Sequence, residues 1–145
     1  MNNSIRTYFL TVLLCTLFGA CSRSGGTEEP GGGPHDDNPN DITAPDVMVY
    51  APTSNQVFTS GSSINVNGRV TDDYGLYRGS IKIINDATGF ELRNQPYEIH
   101  FIRSYDFSIS QQVNALTPTD YTVVVSFEDH GLNVTTKTVK VKVNP

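Results

Sequence analysis

Residues 119–129, TDYTVVVSFED, decide the fold class. Tyr121, Val123, Val125 and Phe127 alternate with Thr122, Val124, Ser126 and Glu128, which gives the period of two expected of a half-buried β-strand. The same period extends outward from this segment. Ile64, Val66 and Val70 alternate with polar residues, as do Ile81 and Ile83, then Tyr97, Ile99 and Phe101, and Tyr105, Phe107 and Ile109. The last run places Leu132 and Val134 at even positions but Val139, Val141 and Val143 at odd ones. A one-residue slip exchanges the two faces of a strand, so this switch predicts a bulge or bend between Thr135 and Thr138. No apolar period of 3.6 residues lasts long enough for a helix. Turn signals separate the runs at short intervals: Pro52 to Asn55, Gly61, Asp72 to Gly75, Asp86 to Gly89, Asn94 to Pro96, Thr117 to Asp120, and Asp129 to Gly131. That spacing predicts an all-β sandwich of seven or eight antiparallel strands, which needs about 100 residues. Residues 41–145 supply them.

The chain has 145 residues, room for one such domain and not for a second core. Ten Lys and Arg against fifteen Asp and Glu leave a net charge of −5. The cationic surface that draws nucleic acid is therefore missing, and no nucleic-acid partner is expected. The N-terminus reads as an address. Arg6 and the terminal amine precede the apolar run Tyr8 to Phe18, and small Gly19 and Ala20 close it just before Cys21, the pattern of a signal peptide over residues 1–20. The run is well short of the roughly 20 apolar residues that span a bilayer.

Leu17-Phe18-Gly19-Ala20-Cys21 resembles the lipobox of bacterial lipoproteins, although Phe18 stands where that motif usually carries Leu. The resemblance implies cleavage before Cys21, acylation of its sulfur and an anchor of three acyl chains, palmitate among them. One acyl chain alone anchors weakly. Ser22 in place of an inner-membrane retention Asp implies an outer-membrane lipoprotein, on either the periplasmic or the surface leaflet. Cys15 would leave with the signal, so the mature chain would hold no thiol free for a disulfide. Loss of Arg6 would take its net charge from −5 to −6.

Ser22 to Asn40 contain no Val, Ile, Leu or aromatic residue, so burial cannot offset the entropy of ordering them. Residues 21–40 are thus expected to be the lipidated Cys and a Gly, Pro and acid-rich linker. Such a linker would hold the domain about 20–25 Å from the lipid. Its pairs Glu28-Glu29 and Asp36-Asp37 suit a solvated spacer and also resemble the acidic signals that route some lipoproteins to the cell surface.

Two stretches resemble bacterial immunoglobulin-like and fibronectin-type-III-like domains, including the cadherin-like ones. The first, Asp41-x-x-x-Pro45-x-Val47-x-Val49-x-x-Pro52 followed by Ile64, Val66, Gly68, Val70 and Asp72-Asp73-x-Gly75-Leu76, looks like strands A and B. The second, Leu116-Thr117-Pro118-Thr119-Asp120-Tyr121, looks like a tyrosine corner entering strand F. The resemblance implies an immunoglobulin-like Greek-key sandwich, without the Trp and disulfide of antibody domains.

Catalytic signatures are missing. The sequence has no HExxH, nucleophile elbow, Walker loop or CxxC pair, and no mature thiol for Cys–His chemistry, so an enzyme is not expected. One internal repetition is informative: Asp72-Asp73-Tyr74-Gly75-Leu76 and Glu128-Asp129-His130-Gly131-Leu132 share one form. In an immunoglobulin topology these are the B–C and F–G loops, which emerge at one pole beside Asp41 and Asp46. Asp41, Asp72, Asp73, Glu128 and Asp129 could there coordinate Ca²⁺, which takes six to eight oxygens; Asp followed by Gly is also ordinary turn chemistry. Tyr74, Tyr77 and His130 are candidate ligand contacts at loop tips. His100, out of phase with Ile99 and Phe101, is expected to face solvent. Lys137, Lys140 and Lys142 on the last strand are expected to guard an edge against aggregation. The expected function is a non-catalytic envelope module that binds or positions a protein or glycan partner, with a ligand-free structural spacer as the alternative.

Overall fold

The structure is a computed structural model that describes residues 37–145. The expected signal peptide, Cys21 and nearly all of the linker, His35 and Asp36 included, lie outside the described residues. Six strands follow in order: β1 Asp46–Ala51, β2 Gln56–Thr59, β3 Ser63–Asn85, β4 Glu91–Gln112, β5 Thr119–Asp129 and β6 Val134–Asn144. There is no helix among the described residues.

Two of these strands serve both layers, which reconciles six strands with an expectation of seven or eight. Residues 63–71 of β3 pair with residues 104–112 of β4 on one side, and residues 67–71 pair with β1 on the other. Residues 76–85 of β3 instead pair with β5 and with residues 91–102 of β4. The strands must therefore bend, and ring contacts show it. Tyr97 and Tyr105, eight positions apart on β4, have ring centroids 5.7 Å apart, whereas a straight strand would separate them by about 26 Å. One layer is β1–β3–β4; the other runs β4–β3–β5–β6–β2. Counted by layer, this is an eight-segment immunoglobulin-like Greek-key sandwich.

The core lies between the layers. Ile64, Val66, Val70, Phe107 and Ile109 face inward from one, and Ile81, Ile83, Tyr121, Val123, Val125, Phe127, Val141 and Val143 from the other. Each such side chain stabilises the fold by about 1.5–3 kcal/mol when fully buried. Phe107 and Phe127 stack across the interior with centroids 5.4 Å apart. Two glycines make room for them: Gly68 is the cross-strand partner of Phe107 and Gly79 that of Phe127. A Cβ on either glycine would overlap its partner's ring.

Several local expectations are corrected. Not every pair is antiparallel, because β2 runs parallel to β6 from Gln56↔Val141 to Thr59↔Asn144. The bulge expected between Thr135 and Thr138 is absent: β5 and β6 pair without a shift from Glu128↔Val134 to Thr119↔Val143. The parity switch arises because Leu132 lies in the turn with positive φ and Val134 faces solvent, while only the odd valines face the core. Asp72 to Gly75 is not an inter-strand turn but an outsize bulge within β3, where the pairing jumps from Thr71↔Ser104 to Leu76↔Ile102. Pro96 sits within β4 opposite Ser80; it is tolerated because β4 pairs with β3 alone, leaving an edge that needs no donor there. Phe101, expected inward with Ile99, takes φ +58° at the bend of β4 and faces solvent. Lys140 and Lys142 do not lie on a bare edge, since Asn55 and β2 cover that end of β6, whereas Lys137 has only β5 beside it. Packing begins before the expected boundary at Asp41, because the Asn38 amide donates to the His130 carbonyl at 2.8 Å.

Candidate functional site

The bulge of β3 and the β5–β6 turn meet at one pole of the sandwich, as the topology requires of B–C and F–G loops. Asp72 organises the first. Its Oδ1 accepts hydrogen bonds from the Tyr74 amide at 2.9 Å and the Gly75 amide at 2.6 Å, which tightens the chain into the bend. Asp129 organises the second. Its buried carboxylate accepts the Asn133 amide on Oδ1 at 2.8 Å and the Asn133 Nδ2 on Oδ2 at 3.0 Å. Asn133 Nδ2 also donates to the Asp41 carbonyl at 3.0 Å, so residues 38–41 lie across the turn as a strap. Gly131 permits this approach: a Cβ there would sit 2.6 Å from the Asp41 carbonyl oxygen.

Three of the five expected cation ligands come together. Asp41, Asp72 and Asp73 each bring a carboxylate oxygen to within 4.8 Å of the other two. Asp41 Oδ2 and Asp72 Oδ2 are shut off from solvent without a hydrogen-bond partner. Burial raises the Asp72 pKa above the usual carboxylate value; two backbone amides oppose this, and the nearby Asp129 and Asp41 charges add to it. Asp46 lines the same cleft as Asp72 and Asp73. Asp129 stands close enough to be felt electrostatically, but Asn133 occupies both of its oxygens. Glu128 is separate. It points out from β5, where Arg78 grips it through Nε at 2.7 Å and Nη2 at 3.2 Å.

The three candidate contact residues divide similarly. Tyr74 is 37% exposed, and its ring meets Phe101 edge-on at 6.3 Å. Tyr77 is half-buried, with the Arg78 guanidinium 5.0 Å from its ring centroid. His130 is not a loop-tip contact: it is 1% exposed, stacked on Phe101 at 3.9 Å with planes 5° apart and flanked by Tyr77 at 5.0 Å. His100 faces solvent, as its alternation predicts, and lies 5.8 Å from the His130 ring.

No protein-family model and no curated protein matches the sequence. Among solved structures, the chain is similar to fibronectin(III)-like modules of Clostridium thermocellum CbhA, with a TM-score of 0.45, 19% identity and 71% of this chain covered. It spans about half (48%) of that chain. Murine CRIg aligns with a TM-score of 0.40 and 10% identity, over 69% of this chain and 96% of its own. The fold assignment rests on the strand pairing described above.

Phe101, Ile102, Leu132 and Asn133 complete the pole, and sequence reasoning gave none of them a role there. Phe101 is 49%, Ile102 48% and Leu132 55% exposed. Alternation places Phe101 inward, and only the bend of β4 turns it out. Asn133, four residues beyond Asp129, carries the one local signal, the tendency of Asn to bond neighbouring backbone in turns.

Proposed function

We propose that the protein is a non-catalytic, lipid-anchored envelope module that binds or positions a partner at the outer membrane through this pole. The observation that carries the reading is the set of exposed apolar side chains there: Tyr74, Phe101, Ile102 and Leu132. Apolar and aromatic groups in solvent beside buried polar anchors are the composition of a recognition surface, whereas a spacer needs none. Apolar area suits a protein partner more than a glycan. The anchor rests on the Leu17 to Cys21 motif. Affinity capture from intact cells, run in parallel with Phe101→Ala and Leu132→Ala, tests the binding reading. One stoichiometric envelope protein, lost in both variants, is the expected result. Equal recovery by all three chains places binding elsewhere, and no recovery favours the spacer.

The pole is also suited to Ca²⁺, because Asp41 and Asp72 each hold a solvent-shut carboxylate oxygen that has no hydrogen-bond partner. A hard cation prefers such oxygens. Bound there, it would tie the strap at Asp41 to the bulge at Asp72 and Asp73 and brace the apolar rim. Calorimetric titration should give a saturable isotherm that Asp72→Asn weakens. A flat isotherm at millimolar calcium removes the cation and leaves the partner surface standing.

A further inference from the structure

At the opposite end of β5 and β6, a groove of about 540 Å³ opens between β2, β6 and the β3–β4 turn. We propose that it binds a neutral saccharide. Its walls carry two carboxylates and two ammonium groups, Asp86 and Asp120 with Lys140 and Lys142. Lys140 Nζ donates to Asp86 Oδ2 at 2.6 Å, and Lys142 Nζ stands 3.6 Å from Asp120 Oδ1. The volume is in the range that holds a small ligand, and a second hollow of about 350 Å³ shares Asp86 and Asp120.

The chemistry of the walls selects the ligand. The four charges cancel, so an anion attracted by the lysines meets Asp86 and Asp120, and a cation meets the reverse. Hydroxyl groups both donate and accept, so a polyol can bond to a carboxylate and an ammonium together. A carboxylate accepts about four hydrogen bonds and an ammonium donates three; Asp86 accepts from Lys140 and from the Thr122 hydroxyl, which still leaves capacity on both members of each pair. Lys142 and Asp120 are too far apart for a good hydrogen bond and are substantially exposed, and exposed ion pairs of this kind contribute little to stability. A ligand can therefore insert its hydroxyls with small loss to the fold. Lys140 and Lys142 are two positions apart on one strand, which spaces the two pairs by about 7 Å, close to the width of a sugar ring. Exposed Val57 provides an apolar wall for the ring's C–H face.

The full chain, in a detergent free of sugar headgroups, should show saturation transfer to at least one of maltose, cellobiose, lactose and N,N′-diacetylchitobiose. Affinity should fall at least tenfold in the Asp120→Ala/Lys142→Ala double variant, whose side chains lie outside the core, and stay unchanged in Phe101→Ala at the far pole. The proposal is overturned if none of the four sugars binds, if the double variant binds as well as the parent, or if glucuronate or glucosamine binds more tightly than the neutral sugars. Because the groove and the acidic pole share no residue, loss of one reading leaves the other intact.

Discussion

Asp72-Asp73-Tyr74-Gly75-Leu76 and Glu128-Asp129-His130-Gly131-Leu132 share one residue pattern and end in opposite environments. In the first, the aromatic is exposed and the leucine is 0% exposed; in the second, the histidine is buried and the leucine exposed. The acid that organises the turn differs too. Asp72, first in its motif, accepts amides two and three residues on, whereas Asp129, second in its motif, accepts the amide four residues on. The path of the chain beyond each motif causes the difference. After Gly75 the chain stays in β3 and must hand Leu76 to the core; after Gly131 it reverses into β6 and leaves Leu132 outside. The same local chemistry thus serves as a bulge or a turn according to the strand it interrupts.

The largest expected break in this comparison comes from the two acids. Asp129→Ala leaves the Asn133 amide, and the Nδ2 hydrogen that does not go to the Asp41 carbonyl, without an acceptor in a part-buried site, at about 1–3 kcal/mol per unsatisfied group. Urea denaturation should show a loss of about 3 kcal/mol. Asp72→Ala removes a more exposed cap and should cost about 1 kcal/mol. Equal losses would mean that the two motifs are structurally equivalent after all.

The aromatic positions sharpen the contrast at the next level. His130→Ala empties a space enclosed by Phe101 and Tyr77, and a loss of about 2–3 kcal/mol is expected. Tyr74→Ala should stay within about 0.5 kcal/mol, as surface substitutions do. Thermal unfolding of the pair checks both.

The smallest effect is one of charge. Burial, with help from Asp129 and Asp41, raises the Asp72 pKa in the folded state, so the folded protein binds the proton more tightly than the unfolded chain. Any stability from that proton is complete below the unfolded pKa of about 3.9 and is lost as pH rises through the folded value. Asp72→Asn, which can still accept the Tyr74 and Gly75 amides, should therefore stabilise the calcium-free domain at pH 7 by less than about 1 kcal/mol. The gain should shrink towards pH 4. A gain that is unchanged at pH 4 would show that charge is not its source.

The strands of the sandwich were legible because their faces are chemically distinct: Tyr121 to Phe127 and Ile64 to Val70 alternate as they pack. The acidic pole was legible in part, since Asp41, Asp72 and Asp73 meet as the strand A, B–C and F–G reading implies. Glu128 left the group because its parity on β5 turns it towards Arg78. Phe101 escaped because alternation holds only while a strand stays straight, and at φ +58° it does not. The groove at the far end escaped because Asp86, Asp120, Lys140 and Lys142 are scattered along the chain and meet only through strand pairing.

The sequence by itself determined the all-β class, the inward sets of most strands and the acidic turn motifs, because side-chain period and turn chemistry are local properties. Only the tertiary structure decided that two strands bend to serve both layers, that β2 runs parallel to β6, and which member of each repeated motif is buried. Those outcomes depend on contacts between residues far apart in the chain, such as Asn133 with Asp41 and Phe107 with Phe127.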